Sequence, residues 1–263
     1  MADIQFPSLV RGAALTGTAE DDVLQITSPG TASGGDGDDA LRGGGAADVV
    51  FGDNGNDQIY TEGGSDYVDG GAGDDAIVSG AGNDWVLGQE GNDLLYGGPG
   101  NDNLFGAAGD DLIFDLEGNN ALYGGEGNDN ILGGDGIDVV FGGDGNDVIS
   151  TSAGNDQLYG GAGNDVFIGG AGDDILSGGA GLDRFVYTGG DGADAISGFN
   201  ILEDVIQVAP GINGTTIGGA GDIGLSQTDA GVVVDLGGGS AVLLSGLAVA
   251  DVSGAAGSIF QIS

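Results

Sequence analysis

From residue 34 to residue 186 the chain can be cut, without a gap, into seventeen consecutive nine-residue segments such as GGDGDDALR, GDNGNDQIY and GGAGNDVFI. Tyr187 and Thr188 then intervene, and an eighteenth segment, GGDGADAIS, covers 189–197. Upstream, residues 16–25 (TGTAEDDVLQ) read as a degenerate opening turn. Two columns are almost invariant. The sixth position is Asp in sixteen of the seventeen segments, Asn120 being the exception, and the eighth is always apolar, from Leu41, Val50 and Ile59 to Leu176 and Phe185. A fixed period of this length marks a repeat architecture, in which each unit buries its apolar side chain only against its neighbours.

Each segment divides into six turn-forming residues and three strand-forming ones. Gly at positions one, two and four permits positive φ and close backbone approach. Positions seven to nine form a short strand with one side chain inward and two outward. Two segments then make one turn of a flattened coil, with odd segments lining one sheet and even segments the other. The expected fold is all-β: a parallel β-roll (a β-helix or solenoid) with a short N-terminal cap at 1–33, the roll at 34–197, and a C-terminal β cap or secretion-signal region at 198–263. Collagen is excluded, because the 62 Gly follow no three-residue period and only four Pro are present.

The charge balance narrows the partners. There are 42 acidic residues against Arg11, Arg42 and Arg184, with no Lys, for a net charge of −39. Nucleic acid and anionic membrane surfaces need a cationic face and are excluded as direct partners. No apolar run approaches the ~18 residues of a membrane-spanning helix. A divalent cation suits the chain. Turns of segments i and i+2 stack on one edge, so their carboxylates would face one another about one strand spacing apart. Calcium accepts six to eight carboxylate and carbonyl oxygens, whereas magnesium demands stricter octahedral geometry. Seventeen stacked segments give fifteen same-edge pairs, hence up to about fifteen calcium ions, and their charge would cancel most of the self-repulsion. Binding and folding would then be one process.

GGAGNDVFI and GGDGNDVIS match the nonapeptide G-G-x-G-x-D-x-U-x at every fixed position, and on these residues the chain resembles the RTX (repeats-in-toxin) calcium-binding proteins over 34–197. The resemblance implies calcium between adjacent turns, with side-chain oxygens from position six and backbone carbonyls from positions one to four. The implied metal ligands are Asp39, Asp48, Asp57, Asp66, Asp75, Asp84, Asp93, Asp102, Asp111, Asp129, Asp138, Asp147, Asp156, Asp165, Asp174, Asp183 and, in the eighteenth segment, Asp194. It also implies secretion by a one-step (type I) channel through an uncleaved C-terminal signal. Residues 1–11 show no basic start followed by an apolar run, so no cleaved signal is expected there. Residues 187–208 look like the cap that follows such repeats.

Departures from the motif are uneven. Segments two (Ala46), four (Thr61, Glu62), six (Ser79), ten (Asp115, Leu116, Asn120) and fourteen (Thr151, Ser152) deviate, and all are even-numbered. Odd segments deviate only mildly, at position two, with Asp53, Gln89 and Ala107. One strong and one weaker calcium edge are expected. The even sheet should also present Phe51, Trp85, Phe105, Tyr123, Phe141 and Tyr159 outward, a stripe suited to shielding the strands or to homo-assembly. At the ends, Ile4, Phe6, Leu9 and Leu15 are expected to close the first turn, and 231–236, 240–244 and 258–262 to form short strands.

The chain has no His, Cys or Lys, so Ser-His-Asp, Cys-His and Ser-Lys catalysis and histidine-based zinc sites are impossible. No segment outside the repeats is large enough for a catalytic domain, and the expectation is a non-enzyme. Two functions fit: an extracellular structural component of a surface layer, matrix or filament that assembles on calcium, or a calcium-folded module that docks a polysaccharide or cell surface.

Overall fold

The structure, a computed structural model, describes residues 14–26, 29–209, 224–237 and 240–262. The chain divides into two compact units, Met1–Gly133 and Gly134–Ser263. The division falls inside the repeats.

In the first unit the described strands are β1 (Ala14–Thr16), β2 (Val23–Gln25), β3 (Thr31–Asp36), β4 (Ala40–Arg42), β5 (Val49–Asn54), β6 (Gln58–Tyr60), β7 (Tyr67–Ala72), β8 (Ala76–Val78), β9 (Trp85–Glu90), β10 (Leu94–Tyr96), β11 (Asn103–Ala108), β12 (Leu112–Phe114), β13 (Ala121–Glu126) and β14 (Asn130–Gly134). They alternate between two parallel sheets, ordered β1-β3-β5-β7-β9-β11-β13 and β2-β4-β6-β8-β10-β12-β14. Partners lie eighteen residues, two segments, apart: Val50 pairs with Val68 and Val68 with Val86, while Leu41 pairs with Ile59 and Ile59 with Ile77. The fold is the expected parallel β-roll, with odd and even segments in separate sheets.

Period-two alternation puts position eight inside. Val50, Leu41, Ile59, Val68, Ile77, Val86, Leu95, Leu104 and Ile113 are all fully buried. The core is therefore one aliphatic side chain thick per strand. The two sheets are not equivalent. Even segments give strands that run on through positions one to three of the next segment, as β5 does through Gly52, Asp53 and Asn54, whereas odd segments give shorter strands, three residues long in β4, β6, β8, β10 and β12 and five in β14. Position two lies in the left-handed region in most turns, and Asp53, Glu62, Gln89 and Ala107, which replace Gly there, still hold φ of 76°, 64°, 87° and 88°, whereas the turns of Leu116 and Ser152 do without a positive φ at that place. Position four needs Gly for a second reason: a Cβ on Gly55 would overlap the Gly37 carbonyl one turn back.

The coil also extends before residue 34. β1 pairs in parallel with β3, and Leu24 and Ala32 are buried like the position-eight residues that follow. Leu15 is half-buried in β1, whereas Ile4, Phe6 and Leu9 lie outside the described residues.

The second unit contains β15 (Val139–Asp144), β16 (Val148–Thr151), β17 (Gln157–Ala162), β18 (Val166–Ile168), β19 (Ile175–Ala180), β20 (Arg184–Tyr187), β21 (Ala193–Ile196), β22 (Val205–Val208), β23 (Gly224–Gln227), β24 (Gly231–Gly237), β25 (Ser240–Ser245), α1 (Val249–Ile259) and β26 (Phe260–Ile262). Its sheets are ordered β15-β17-β19-β21-β25-β24-β23 and β16-β18-β20-β22-β26. Phe167 and Phe185 stack in its core with ring centroids 5.0 Å apart. β25 joins β21 in parallel and then pairs antiparallel with β24, and β24 with β23, so the C-terminal residues extend one sheet and β26 extends the other.

One expectation needs correcting. The strand read at 258–262 begins only at Phe260, because residues 258–259 close α1. Val252 and Ile259, seven residues apart, bury the same face of that helix. Its N-terminus is satisfied by Asp251, which accepts the Ala248 N–H at 3.2 Å, and by Gln227, which accepts the Val249 N–H at 2.9 Å.

Candidate functional site

The position-six aspartates form two columns in each unit, one per edge. All seventeen Asp named from the sequence are at most 3 % exposed. Each side chain sits at the end of a six-residue turn, two residues before the buried position-eight residue, so the strand register fixes its height along the column.

The two carboxylate oxygens have different tasks. Oδ1 accepts the backbone N–H of the position-six residue one turn earlier. Asp39 donates to Asp57, Asp57 to Asp75, Asp75 to Asp93 and Asp93 to Asp111, all at 2.8 Å. On the other edge Asp48 donates to Asp66, Asp66 to Asp84 and Asp84 to Asp102, at 2.7–2.9 Å. The second unit repeats this from Asp138 to Asp156, Asp174 and Asp194, and from Asp147 to Asp165 and Asp183, at 2.8–3.1 Å. Asn120 keeps the ladder intact, since its Oδ1 accepts the Asp102 N–H at 3.0 Å.

Oδ2 is left over. In Asp39, Asp57, Asp66, Asp75, Asp84, Asp93, Asp102 and Asp111, and in Asp156, Asp165, Asp174 and Asp183, it is buried without a hydrogen-bond partner. Buried polar atoms almost always find partners, and a repeated orphan carboxylate oxygen needs an explanation such as an ion. Asp48 departs from the rule: its Oδ2 takes the Gly44 N–H at 2.8 Å.

Position one shows where a cation would sit. A Cβ on Gly52 would overlap both Asp57 Oδ2 and the Gly70 carbonyl oxygen of the next turn, and the same pairing recurs at Gly34, Gly70, Gly88 and Gly106. A carboxylate oxygen from one turn and a carbonyl oxygen from the next thus converge on a cradle that only Gly leaves open. Among the described residues no three acidic side chains converge on one point, so a bound ion would complete its shell from backbone carbonyls. An all-oxygen, mixed carboxylate and carbonyl donor set fits calcium.

Burial pushes these carboxyls far above the ordinary aspartate value of 3.8, and neighbouring carboxylates push further. Asp75, Asp111, Asp165, Asp174 and Asp194 rise to about 7, and Asp39, Asp66 and Asp93 to about 6, despite the opposing pull of the ladder N–H. Burial likewise raises Asp57, Asp84, Asp102, Asp156 and Asp183. A column at neutral pH is therefore divided between binding protons and binding a cation.

Two features escaped the sequence reading. Asp204 continues a column, accepting the Asp183 N–H at 3.1 Å. Its signal was the run Asp204-Val205-Ile206-Gln207, which repeats positions six to nine without the preceding glycines. A second ladder runs along position five, in the opposite sense: the N–H of Asp74 donates back to Asn56 Oδ1, Asn92 to Asp74, Asp110 to Asn92 and Asn128 to Asp110, at 2.7–2.8 Å. This is why Asn or Asp so often precedes the column Asp.

Outward aromatic residues stack on the even sheet: Phe105 on its register partner Tyr123 at 4.5 Å, and Trp85, which pairs with Asn103, diagonally on Phe105 at 5.0 Å. Trp85 nevertheless stays 45 % exposed.

A parallel β-roll with aspartate columns along its turns defines a calcium-binding solenoid. The family profile of the RTX calcium-binding nonapeptide repeat matches in overlapping blocks from residue 33 to residue 185, and the chain belongs to that family. Among solved structures, it is 32 % identical to the AlgE6R3 subunit of the mannuronan C5-epimerase of Azotobacter vinelandii, covering 51 % of this chain and 71 % of that one, with a TM-score of 0.33. It is 20 % identical to the extracellular lipase LipA of Serratia marcescens, covering 89 % of this chain and 40 % of that one, also with a TM-score of 0.33. No curated protein sequence matches it. Among the described residues no helix is long and apolar enough to cross a membrane.

Proposed function

We propose that the chain is a secreted, non-catalytic β-roll that folds on calcium and serves as an extracellular structural component of a surface layer, matrix or filament. The observation that carries the calcium half is the unpartnered Oδ2 recurring in register along the columns. Asp39, Asp57, Asp75, Asp93 and their counterparts supply carboxylate oxygens, and position-one carbonyls supply others. Up to about fifteen ions would follow from the segment count. Assembly uses the even-sheet aromatic stripe, where the exposed ring of Trp85 and the half-buried ring of Phe105 stacked on it suit burial against a second copy.

The test is a calcium titration of the intact chain, read by far-ultraviolet circular dichroism and by light scattering. The expected result is a chelator-reversible gain of β signal together with rising scattering. Trp85→Asp with Phe105→Asp should abolish the scattering and leave the circular dichroism change. No spectral change with calcium sinks the folding claim, and a calcium-folded monomer sinks the structural one.

A second reading, docking of a polysaccharide, draws on one feature of the first unit. A shallow concavity of about 430 Å³ is lined by Phe51, Asp53, Asp69, Gln89 and Glu90, a ring beside hydrogen-bonding side chains. Under this reading the monomer persists in calcium and a soluble polysaccharide panel yields a binder, lost in Phe51→Ala.

A further inference from the structure

The two edges differ in what fills position one. On the edge of the odd segments it is Gly, and the place its Cβ would take is claimed by the Oδ2 of its own Asp and by the next turn's carbonyl oxygen. On the other edge three turns carry a hydroxyl instead: Thr61, Ser79 and Thr151, all buried. Each hydroxyl donates to the position-one carbonyl of the next turn, Thr61 to Ser79 at 2.7 Å, Ser79 to Gly97 at 3.0 Å and Thr151 to Gly169 at 2.6 Å. Each also lies beside the carboxyl of its own segment, Asp66, Asp84 or Asp156. The side chain thus fills the cradle that Gly leaves open on the odd edge and gives its one proton to the next turn's carbonyl, while the Oδ2 of Asp66, Asp84 and Asp156 beside it has no hydrogen-bond partner.

Room at position one varies along the even edge: a Cβ at Gly97 would overlap Asp102 Oδ2 and Asp115 Oδ2, and one at Gly169 would overlap Asp174 Oδ2. A Cβ at Gly43, on the even edge, would stand 2.8 Å from Asp48 Oδ2 and 3.1 Å from the Thr61 carbonyl oxygen, whereas at Gly52 it would overlap both corresponding atoms. The turns of Thr61 and Ser79 follow the three-residue strands β6 and β8 and start outside them, while Thr151 is the last residue of β16.

We propose that Thr61, Ser79 and Thr151 are built-in substitutes for calcium: each hydroxyl bridges two turns where the odd edge uses a cation, so these three turns close without metal. This rests on the calcium reading above and assigns which turns are exempt from it. A hydroxyl ties its own turn to the carbonyl of the next with its single proton, independent of the surrounding calcium concentration. The roll then has a part that is formed before calcium arrives and from which the metal-dependent turns can be ordered.

The experiment counts calcium ions per chain by native mass spectrometry and isothermal titration. The intact chain is compared with a Thr61→Gly, Ser79→Gly, Thr151→Gly triple variant and with a Thr61→Ser, Thr151→Ser control. The triple variant should gain up to three ions, and the control, which keeps the hydroxyls, should gain none. An unchanged count in a folded triple variant overturns the proposal. Should the triple variant not fold in calcium, Gly169→Ser decides: it places a hydroxyl beside Asp174 Oδ2, and loss of one ion supports the proposal while an unchanged count overturns it. If the intact chain itself binds no calcium, the calcium reading fails instead, and that outcome is distinct from both.

Discussion

Asp93 accepts the backbone N–H of Asp75 on Oδ1 at 2.8 Å, while its Oδ2 lies buried with no donor. One carboxylate therefore does a structural task with one oxygen and leaves the other for a ligand. The two tasks separate by mutation. Asp93→Asn keeps the acceptor and removes the charge, as Asn120 already does for the Asp102 N–H. Asp93→Ala removes both and strands a buried N–H, at about 1–3 kcal/mol. In urea melts with chelator at pH 5, where the raised column carboxyls hold protons in place of calcium, Asn should be no less stable than the natural residue and Ala less stable by that amount. In calcium both should bind fewer ions. Equal chelator stabilities for the two variants would show that the ladder bond contributes nothing.

The raised carboxyls set the pH dependence. Asp75, Asp111, Asp165, Asp174 and Asp194 titrate near 7 in the folded state against 3.8 ordinarily. Between these values the folded chain holds protons that the unfolded chain has released, so stability falls as pH rises through that window. Without calcium the chain should therefore show more β signal, and a higher melting temperature, at pH 5 than at pH 8. Calcium competes for the same oxygens, so its apparent affinity should weaken over the same descent in pH. A calcium-free melting temperature that is flat or drops on acidification contradicts the burial of ionised Oδ2 atoms.

The column aspartates and the position-eight core were legible in the sequence because each recurs on a fixed count, and the register turns that count directly into stacking. What was hidden sits where the glycines fail. Asp22 and Asp204 close turns without the Gly pair, each accepting on Oδ2 a backbone N–H four residues back, from Thr18 at 2.6 Å and from Asn200 at 2.7 Å. Side chains there replace the backbone freedom that marks the motif elsewhere. α1 was hidden for another reason. Its Ala, Gly and Ser content carries little periodic signal, and its two buried anchors, Val252 and Ile259, are a full two turns apart. The unequal strand lengths of the two sheets were not legible in the shared consensus, although the departures at Thr61, Ser79 and Asp115 fall in turns that follow three-residue strands.

Ala107 holds φ at 88°, a conformation that L-residues adopt at a cost of about 1–2 kcal/mol. Gly occupies the equivalent place at Gly71 and Gly125. Ala107→Gly relieves the strain and gives back part of it as chain entropy, so a net gain of about 0.5–1 kcal/mol is expected in calcium-saturated denaturation. A β-branched residue at the same place, Ala107→Val, should destabilise. A destabilising Gly would mean that the Ala methyl makes packing contacts that outweigh the backbone strain.

Phe105 stands between Trp85 and Tyr123 in the ring stack, at 5.0 and 4.5 Å, whereas Trp85 itself stacks on Phe105 only from one side. Each stacked pair is worth about 0.5–1.5 kcal/mol beyond area burial. Phe105→Ala should therefore destabilise by about 1–3 kcal/mol and Trp85→Ala by roughly half as much in stacking, measured on calcium-loaded protein dilute enough to be monomeric. The double variant should fall short of the sum, because the Trp85–Phe105 contact is counted in both singles, and the shortfall measures that contact. Strict additivity would mean that the rings are ordered by their own strands and not by one another, and the stripe would then owe its regularity to the nine-residue register alone.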